Sequence, residues 1–347
     1  MMFDRGKQLG AKEIFMAVGT PVRYKVNNTY EMDETIITDK VIRQTIDGLF
    51  SREQKETFYK DKSILTSCVL DDLGRVRVVA GFQRGTPYLN VRMNKNQHDL
   101  IYDYPQVIDL LSEFEEGLII ISGKKSSGRT TTMSHIMHKT NTSKSKNVIS
   151  LHQHIEYLMN HDQSIIKQKE LGLDFNDYSV AIKNALLEDV DILFVDEANN
   201  KHVLQDLIKL SSQGKLVVAV MNNSNVSSTL ENLIYAFDED ERKYYKNQLS
   251  ENLKGIVSHK KINVDNKDHL LYEILLNNQA IKRIIQEDKL SQLGHHMEHY
   301  KSMGMRTFDM SLAEKVEQGL IERDLSFQVT ENIQTLEDYL NRGFMYE

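Results

Sequence analysis

The run Gly123-Lys124-Lys125-Ser126-Ser127-Gly128-Arg129-Thr130 has residue types and spacing suited to gripping phosphate. It follows the apolar run Leu118-Ile119-Ile120-Ile121 and opens a helical pattern from about Thr130. In that setting glycines let the backbone curl so that successive N–H groups face an anion, and the helix start adds positive potential. The spacing is that of the G-x-x-x-x-G-K-[ST] phosphate loop, with Ser126, Ser127 and Thr131 around the bend and the Thr130 hydroxyl placed for Mg²⁺. Arg129 stands where that pattern has lysine. Lysine is a compact point charge, whereas arginine is larger and planar, so the exchange is not conservative at a tight site. Arg129 can still neutralise phosphate from a shifted position, and Lys124 and Lys125 offer further charge. The alternative is a strand-turn-helix that needs small residues and binds nothing.

A second constellation lies downstream, where Leu193-Phe194-Val195 runs into Asp196-Glu197. An apolar strand ending in two carboxylates suits phosphate chemistry: Asp196 orients a metal shell and Glu197 polarises an attacking water. His152 and His154 alternate at another strand end and should point the same way, either toward a terminal phosphate or as hydrogen-bonded filler. His295 and His299 have the i,i+4 spacing of zinc ligands, but no third ligand is evident, and a solvated helix face is the simpler reading. His135 and His138 read as surface or packing residues, and Asp238 to Lys243 as a solvated helix start.

These residues need a scaffold, and the chain has room for one. It has 347 residues, which allows two or three domains. At 40% hydrophobic and 27% charged it has the composition of a globular protein rather than a disordered or membrane-embedded one. The net charge of −7 gives no general pull toward nucleic acid. Cys68 is the single cysteine, which excludes an intrachain disulfide framework and a multi-cysteine zinc site. The N-terminal segment lacks the apolar core of a secretory signal, and the longest apolar runs are too short to span a bilayer. The expected location is the cytoplasm.

Residues 1–95 read as a small α+β domain. Thr38 to Phe50 has helical spacing, with Val41, Ile42, Ile46 and Phe50 on one face, and Asp71-Asp72-Leu73-Gly74 is a turn between two β-like runs. Residues 96–116 form a linker. Residues 117–278 alternate strand and helix: Leu118 to Ile121, Val148 to Leu151, Asp191 to Val195 and Leu216 to Met221 are strands, and Tyr178 to Leu187 and Val203 to Leu210 are helices. This alternation predicts a doubly wound α/β sheet. Ile256 to Val264 and His269 to Leu276 flank Asp265 to Asp268 as a hairpin. Residues 279–347 are helical, broken at Gly304 and Gly319.

Taken together, the sequence resembles the twitching-motility retraction ATPases of type IV pili (PilT-like), within the wider type II/IV secretion ATPase family. The resemblance rests on Gly10-Ala11-Lys12-Glu13-Ile14-Phe15, Leu73-Gly74-Arg75-Val76-Arg77, Gln83-Arg84-Gly85, the phosphate-loop region and Asn184 to Ile192. It continues in Ala280 to Ile285 and Gly304-Met305-Arg306-Thr307-Phe308-Asp309-Met310-Ser311-Leu312. It implies a PAS-like N-terminal domain, a RecA-like P-loop NTPase core and ATP with Mg²⁺ as ligands. It also implies a hexameric ring, alone or mixed with an active paralogue, acting on the inner-membrane platform protein of a pilus. Arg75, Arg77 and Arg92 then become candidates for contacting phosphates, against a reading as ordinary surface charge. Several positions depart from the family pattern. His152-Gln153-His154 replaces an acidic box, of which Glu156 remains, and Lys215 and Asn222 replace two histidines. Asn199-Asn200 replaces an Arg-Asp pair, and Asp196 replaces glycine. Losing one preorganised charge at a transition state commonly costs a few kcal/mol, so binding with slow or absent hydrolysis is expected. The competing expectations are a fully active motor and a non-hydrolysing adaptor. An extension-type pilus ATPase is disfavoured, because such chains are longer and often carry a four-cysteine zinc module.

Overall fold

The computed structural model describes residues 2–26, 29–70, 74–93, 95–96, 104–264 and 267–342. The expected turn residues Asp71, Asp72 and Leu73, and Asp265 and Asn266 of the second hairpin, lie outside the described residues. The chain forms two compact units, one of residues 1–99 with 156–158, the other of residues 100–155 with 159–347.

The first unit opens with α1 (Met2–Gln8) and is built on the strands β1 (Glu13–Ala17), β2 (Pro21–Val26) and β3 (Thr29–Ile36), the helices α2 (Asp39–Leu49) and α3 (Arg52–Asp61), and the strands β4 (Ser63–Leu70), β5 (Gly74–Gln83) and β6 (Thr86–Met93). The six strands make one sheet in the order β3-β2-β1-β6-β5-β4, and every described pairing in it is antiparallel. Alternate residues point to opposite faces of a strand. Ile14, Met16, Val22, Tyr24, Val76, Val78, Ala80, Leu89 and Val91 are buried in one core with Ile42, Ile46 and Phe58 of the helices. Thr38 caps α2 by accepting the Val41 N–H, and Ser51 with Gln54 forms a capping box on α3, so both helix starts are satisfied where the sequence supplies short polar side chains. Two short parallel strands, β7 (Lys95–Asn96) and β10 (Tyr157–Leu158), complete the unit.

The second unit begins with α4 (Gln106–Leu111), β8 (Gly117–Gly123), α5 (Arg129–Ser143), β9 (Asn147–His152), β11 (Ile165–Glu170), α6 (Tyr178–Leu187), β12 (Ile192–Val195), α7 (Lys201–Ser211) and β13 (Leu216–Met221). It continues with α8 (Val226–Tyr235), α9 (Glu239–Asn252) and the hairpin of β14 (Leu253–Val264) and β15 (Lys267–Leu276). The seven strands order as β11-β9-β12-β13-β8-β14-β15, parallel except for β15. Every residue of β8, β12 and β13 is buried, which is why their sequences are continuous apolar runs. Leu118 and Ile120 enter one core with α6, α7 and α8, while Ile119 and Ile121 bury on the opposite face. Inside the sheet, Ser122 and Ser258 share a hydrogen bond of 2.6 Å, and the Thr229 hydroxyl of α8 donates to Ser122 at 2.9 Å.

The C-terminal part carries α10 (Gln279–Glu287), α11 (Leu293–His299), α12 (Phe308–Glu317), α13 (Arg323–Val329) and α14 (Ile333–Arg342). Gly304 and Gly319 adopt φ 92° and 69° at the two expected breaks. A residue just before α12 covers the β15 edge: Ile274 and Arg306 exchange both main-chain hydrogen bonds, at 2.8 and 3.0 Å. At the other edge, Lys167 and Lys169 of β11 pair with Glu188. No helix among the described residues is long and apolar enough to cross a membrane.

Candidate functional site: the loop between β8 and α5

The loop leaves β8 at Gly123 and enters α5 at Arg129. Gly123, Ser126 and Gly128 have φ of 148°, 67° and 95°. Positive φ at several positions in one short bend turns consecutive N–H groups toward a common point, the geometry of an anion nest. For Ser126, which has a Cβ, this conformation costs of the order of 1–3 kcal/mol and persists because the surroundings impose it. The Ser127 N–H closes a turn on the Lys124 carbonyl at 3.2 Å. Gly128 sits at the N-cap position with no side-chain cap, so the first N–H groups of α5 have no capping side chain. Thr130 and Thr131 lie half-buried on the first turn of that helix.

The loop is backed by β14, where His259 pairs with Gly123 in the parallel register. A Cβ on Gly123 would meet the His259 carbonyl oxygen at 2.8 Å and collide with Ser127 Oγ, so glycine is required there. His259 Nδ1–H donates to the Ser127 carbonyl at 3.2 Å. Burial pushes the His259 imidazole down to about 4, so the ring backs the loop as a neutral donor. Nothing in residue type marks His259 as part of a loop site. It ends the buried run Gly255 to His259 of β14, and it gains meaning only from the register with Gly123.

Arg129 extends along the ends of the strands. Its Nη1 donates to the Met221 carbonyl, the last of β13, at 2.7 Å. Partial burial draws its pKa below the ordinary arginine value, while the Glu197 and Asp196 carboxylates act the other way. The guanidinium therefore lies in the field of the two acids that follow β12.

Those acids have separate surroundings. Asp196 takes the Gln153 N–H on both oxygens, at 2.9 and 2.8 Å, and the Tyr178 hydroxyl on Oδ1 at 2.7 Å. Burial, then the neighbouring Asp196 charge, hold the Tyr178 hydroxyl far above its usual pKa, so it stays a donor. His152 lies 3.9 Å from Asp196, completely buried, hydrogen-bonded to Ser150 Oγ at 2.5 Å, and pushed by desolvation down to about 4. His152 is thus a buried neutral ring held through Nε2, with Nδ1 lacking a hydrogen-bond partner among the described residues, and His154 stands apart from it, 3.8 Å from Glu170. Glu197 is exposed and accepts from the Asn199 amide, whose oxygen accepts the Asn222 N–H at 3.0 Å. Asn200 caps α7 through the His202 N–H. A magnesium shell held by Thr130 and Asp196 does not fit this arrangement, because Asp196 is committed to tying β9 and α6 to β12 and already lies in the field of the Arg129 guanidinium. Among the described residues no cluster of three or more His, Cys, Asp or Glu side chains is arranged to hold a metal ion. His295 and His299 are exposed on α11, while Leu293 and Met297 face inward.

The first unit gathers the expected arginines. The β5–β6 hairpin turns at Arg84-Gly85, with φ of 50° and 82°, the signature of a two-residue turn with both central residues left-handed. That turn pairs Gln83 with Thr86 and hence Arg77 directly opposite Arg92. Arg75, two residues from Arg77, shares their face, away from the helices. Like charges directly opposed are unfavourable. Two acids offset the charge of Arg92, which lies 4.0 Å from Glu13 and 3.5 Å from Glu156. Glu156 thus belongs with this arginine group in the first unit, whereas Glu197 belongs to the second.

Comparison with known proteins agrees with this geometry. Residues 90–264 match the family described as Type II/IV secretion system protein. The type IV pilus ATPase PilU of Pseudomonas aeruginosa is 26% identical over 317 residues, spanning 90% of this chain and 83% of that one. The type IV pilus retraction ATPase PilT of the same organism is 27% identical over 220 residues, 63% of this chain and 64% of its own. The crystal structure of the pilus retraction motor PilT with bound ADP superposes with a TM-score of 0.86 at 24% identity, covering 97% of this chain and 98% of that one. The ATPase DotB of Legionella pneumophila shares the fold at a TM-score of 0.77 and 17% identity. Carrying a phosphate-loop bend on a parallel sheet, and matched by that family's profile over half its length, the chain belongs to the type II/IV secretion system protein family.

Proposed function

We propose that the chain is a nucleotide-binding subunit of a type IV pilus retraction-type motor, taking ATP at the loop from Gly123 to Thr131 and turning it over slowly or not at all. The observation that carries the proposal is the loop itself, whose three positive-φ residues curl the main chain ahead of an uncapped helix start. The likeness to PilU and PilT and the ADP in the PilT crystal structure support the same ligand class. In this proposal main-chain N–H groups hold the phosphates, and Arg75, Arg77 and Arg92 supply further cationic charge. Glu197 and Glu156 are the carboxylates available for chemistry. Slow turnover follows from their engagement: Glu197 is tied to Asn199, Glu156 to Arg92, and Arg129 to a strand carbonyl. The metal expected at Thr130 and Asp196 is not carried into the proposal, because the hydrogen bonds of Asp196 speak against it.

The subunit is proposed to work in a ring of six, alone or with an active paralogue, on the platform protein of the pilus. Calorimetry with ATP and ADP, run beside a phosphate-release assay, tests the proposal. Binding with turnover far below the usual enzyme range of about 1–1,000 s⁻¹ is expected. Absence of affinity for either nucleotide sinks the binding claim, and turnover within that range sinks the claim of slow hydrolysis. Light scattering with and without nucleotide reads the ring.

A further inference from the structure

We infer that Arg129 takes the place of the divalent cation, so that the loop binds its nucleotide independently of Mg²⁺; this rests on the nucleotide reading of the loop. Strand order supplies the geometry. Arg129 starts the helix that follows β8, and β13 lies between β8 and β12. By donating to the Met221 carbonyl at 2.7 Å, the guanidinium spans the end of β13 toward the end of β12, where Asp196 and Glu197 follow. A phosphate-bound metal would need that ground: next to the first turn of α5 and in front of the strand-end carboxylates.

Three features exclude a second cation there. The guanidinium is larger than the ammonium that ordinarily shares such a loop with a metal, and it is held across the end of β13 by the Met221 carbonyl, so its bulk as well as its charge lies toward the strand-end carboxylates. Asp196 is already bound by Gln153 and Tyr178. Asn199 holds Glu197 and, through the Asn222 N–H, the end of β13 as one clip. The charge that a metal would bring to the phosphates is instead built into the chain, in Arg129 with the exposed Lys124 and Lys125 of the same loop. The Arg129 charge is permanent and local, whereas a metal ion must be recruited from solution.

The test is titration calorimetry of the full chain with ATP and with ADP, in excess EDTA and in excess Mg²⁺, for the native protein and for Arg129→Lys. The native affinity is expected to differ by less than about threefold between the two conditions. Arg129→Lys loses the reach to Met221 and exposes the carboxylates, and its affinity is expected to rise at least about tenfold with Mg²⁺. A native protein that loses tenfold or so in EDTA overturns the inference while leaving the nucleotide reading intact. No binding in either condition overturns the nucleotide reading itself, and the inference with it. Metal independence in both proteins removes Arg129 as the cause. Because the native comparison needs no variant, a misfolded Arg129→Lys protein leaves the question decided by the native chain, and paramagnetic resonance with Mn²⁺ and ADP reads the same point directly, native protein holding none.

Discussion

The loop between β8 and α5 and the cluster at the ends of β9, β12 and β13 lie side by side and are built from different materials. The loop is made of main chain: three positive-φ residues, a turn and an uncapped helix start, stiffened from behind by His259. The strand-end cluster is made of side chains, and both of its carboxylates accept hydrogen bonds from other residues of the same unit. Binding that depends on backbone shape tolerates side-chain exchange, because the N–H groups persist whatever residue carries them. Chemistry that depends on free carboxylates does not, since each new hydrogen bond to a carboxylate must be broken before it can act.

The sharpest way to break this contrast is Gly123→Ala. The new methyl group meets the His259 carbonyl in a conformation that side chains rarely adopt. Nucleotide affinity is expected to fall on the order of 100-fold, about 3 kcal/mol, in calorimetry. An affinity left intact would show that the curl is not what grips.

Acid comes next, because each region contains one buried neutral histidine. His259 and His152 both have folded pKa values near 4 against an ordinary 6.5, so each contributes stability that is present above pH 6.5 and drains away as the pH falls toward 4. Glu273 works in the opposite sense. Burial lifts it to about 7 while it caps α8 through the Val226 N–H at 2.7 Å, so its stability is greatest below 4.5 and is lost as the pH rises through 7. Between pH 7 and 5 the histidines each lose about 2 kcal/mol and Glu273 returns about 2, leaving a net loss of about 2 kcal/mol. Urea unfolding at the two pH values measures it; higher stability at pH 5 would contradict the assignment of both rings. His259→Asn and His152→Asn should each remove about half of the histidine contribution.

Smaller still is Tyr178→Phe, which deletes one donor to Asp196. It should lower stability by about 1–2 kcal/mol in urea melts while leaving nucleotide affinity unchanged, since Asp196 serves structure there. A strong loss of affinity instead would return Asp196 to the ligand set. Asn199→Ala should have the least effect on stability, about 1 kcal/mol or less, and it frees Glu197. A phosphate-release rate that rises in this variant ties the proposed slow turnover to the clip, and an unchanged rate separates the two.

What could be read from the sequence follows from burial. Strands β8 and β13 declared themselves because parallel strands covered on both faces are unbroken apolar runs, and Gly123 to Thr130 because a curled backbone demands glycine at fixed offsets. Strand β11, Ile165–Glu170, was illegible: as an edge strand it carries two lysines and little apolar alternation. Helix α9 showed only its acidic start, since it buries little beyond Leu249 and Ser250. The partner of Arg129 could not be foreseen, because a main-chain carbonyl 92 residues away leaves no mark on residue type. The opposition of Arg77 and Arg92 depends on register, set by the turn at Arg84-Gly85 rather than by either arginine.

The two borders of the seven-stranded sheet differ in what they offer an added strand. On one side Arg306 takes the main-chain groups of Ile274 in β15, with its own side chain anchored to Glu314 at 2.8 Å. On the other, β11 presents the Lys167 and Lys169 ammonium groups, which resist docking of another chain's backbone. In the proposed ring, neighbouring copies are then expected to meet through side-chain surfaces rather than through a shared ladder that would lock them together.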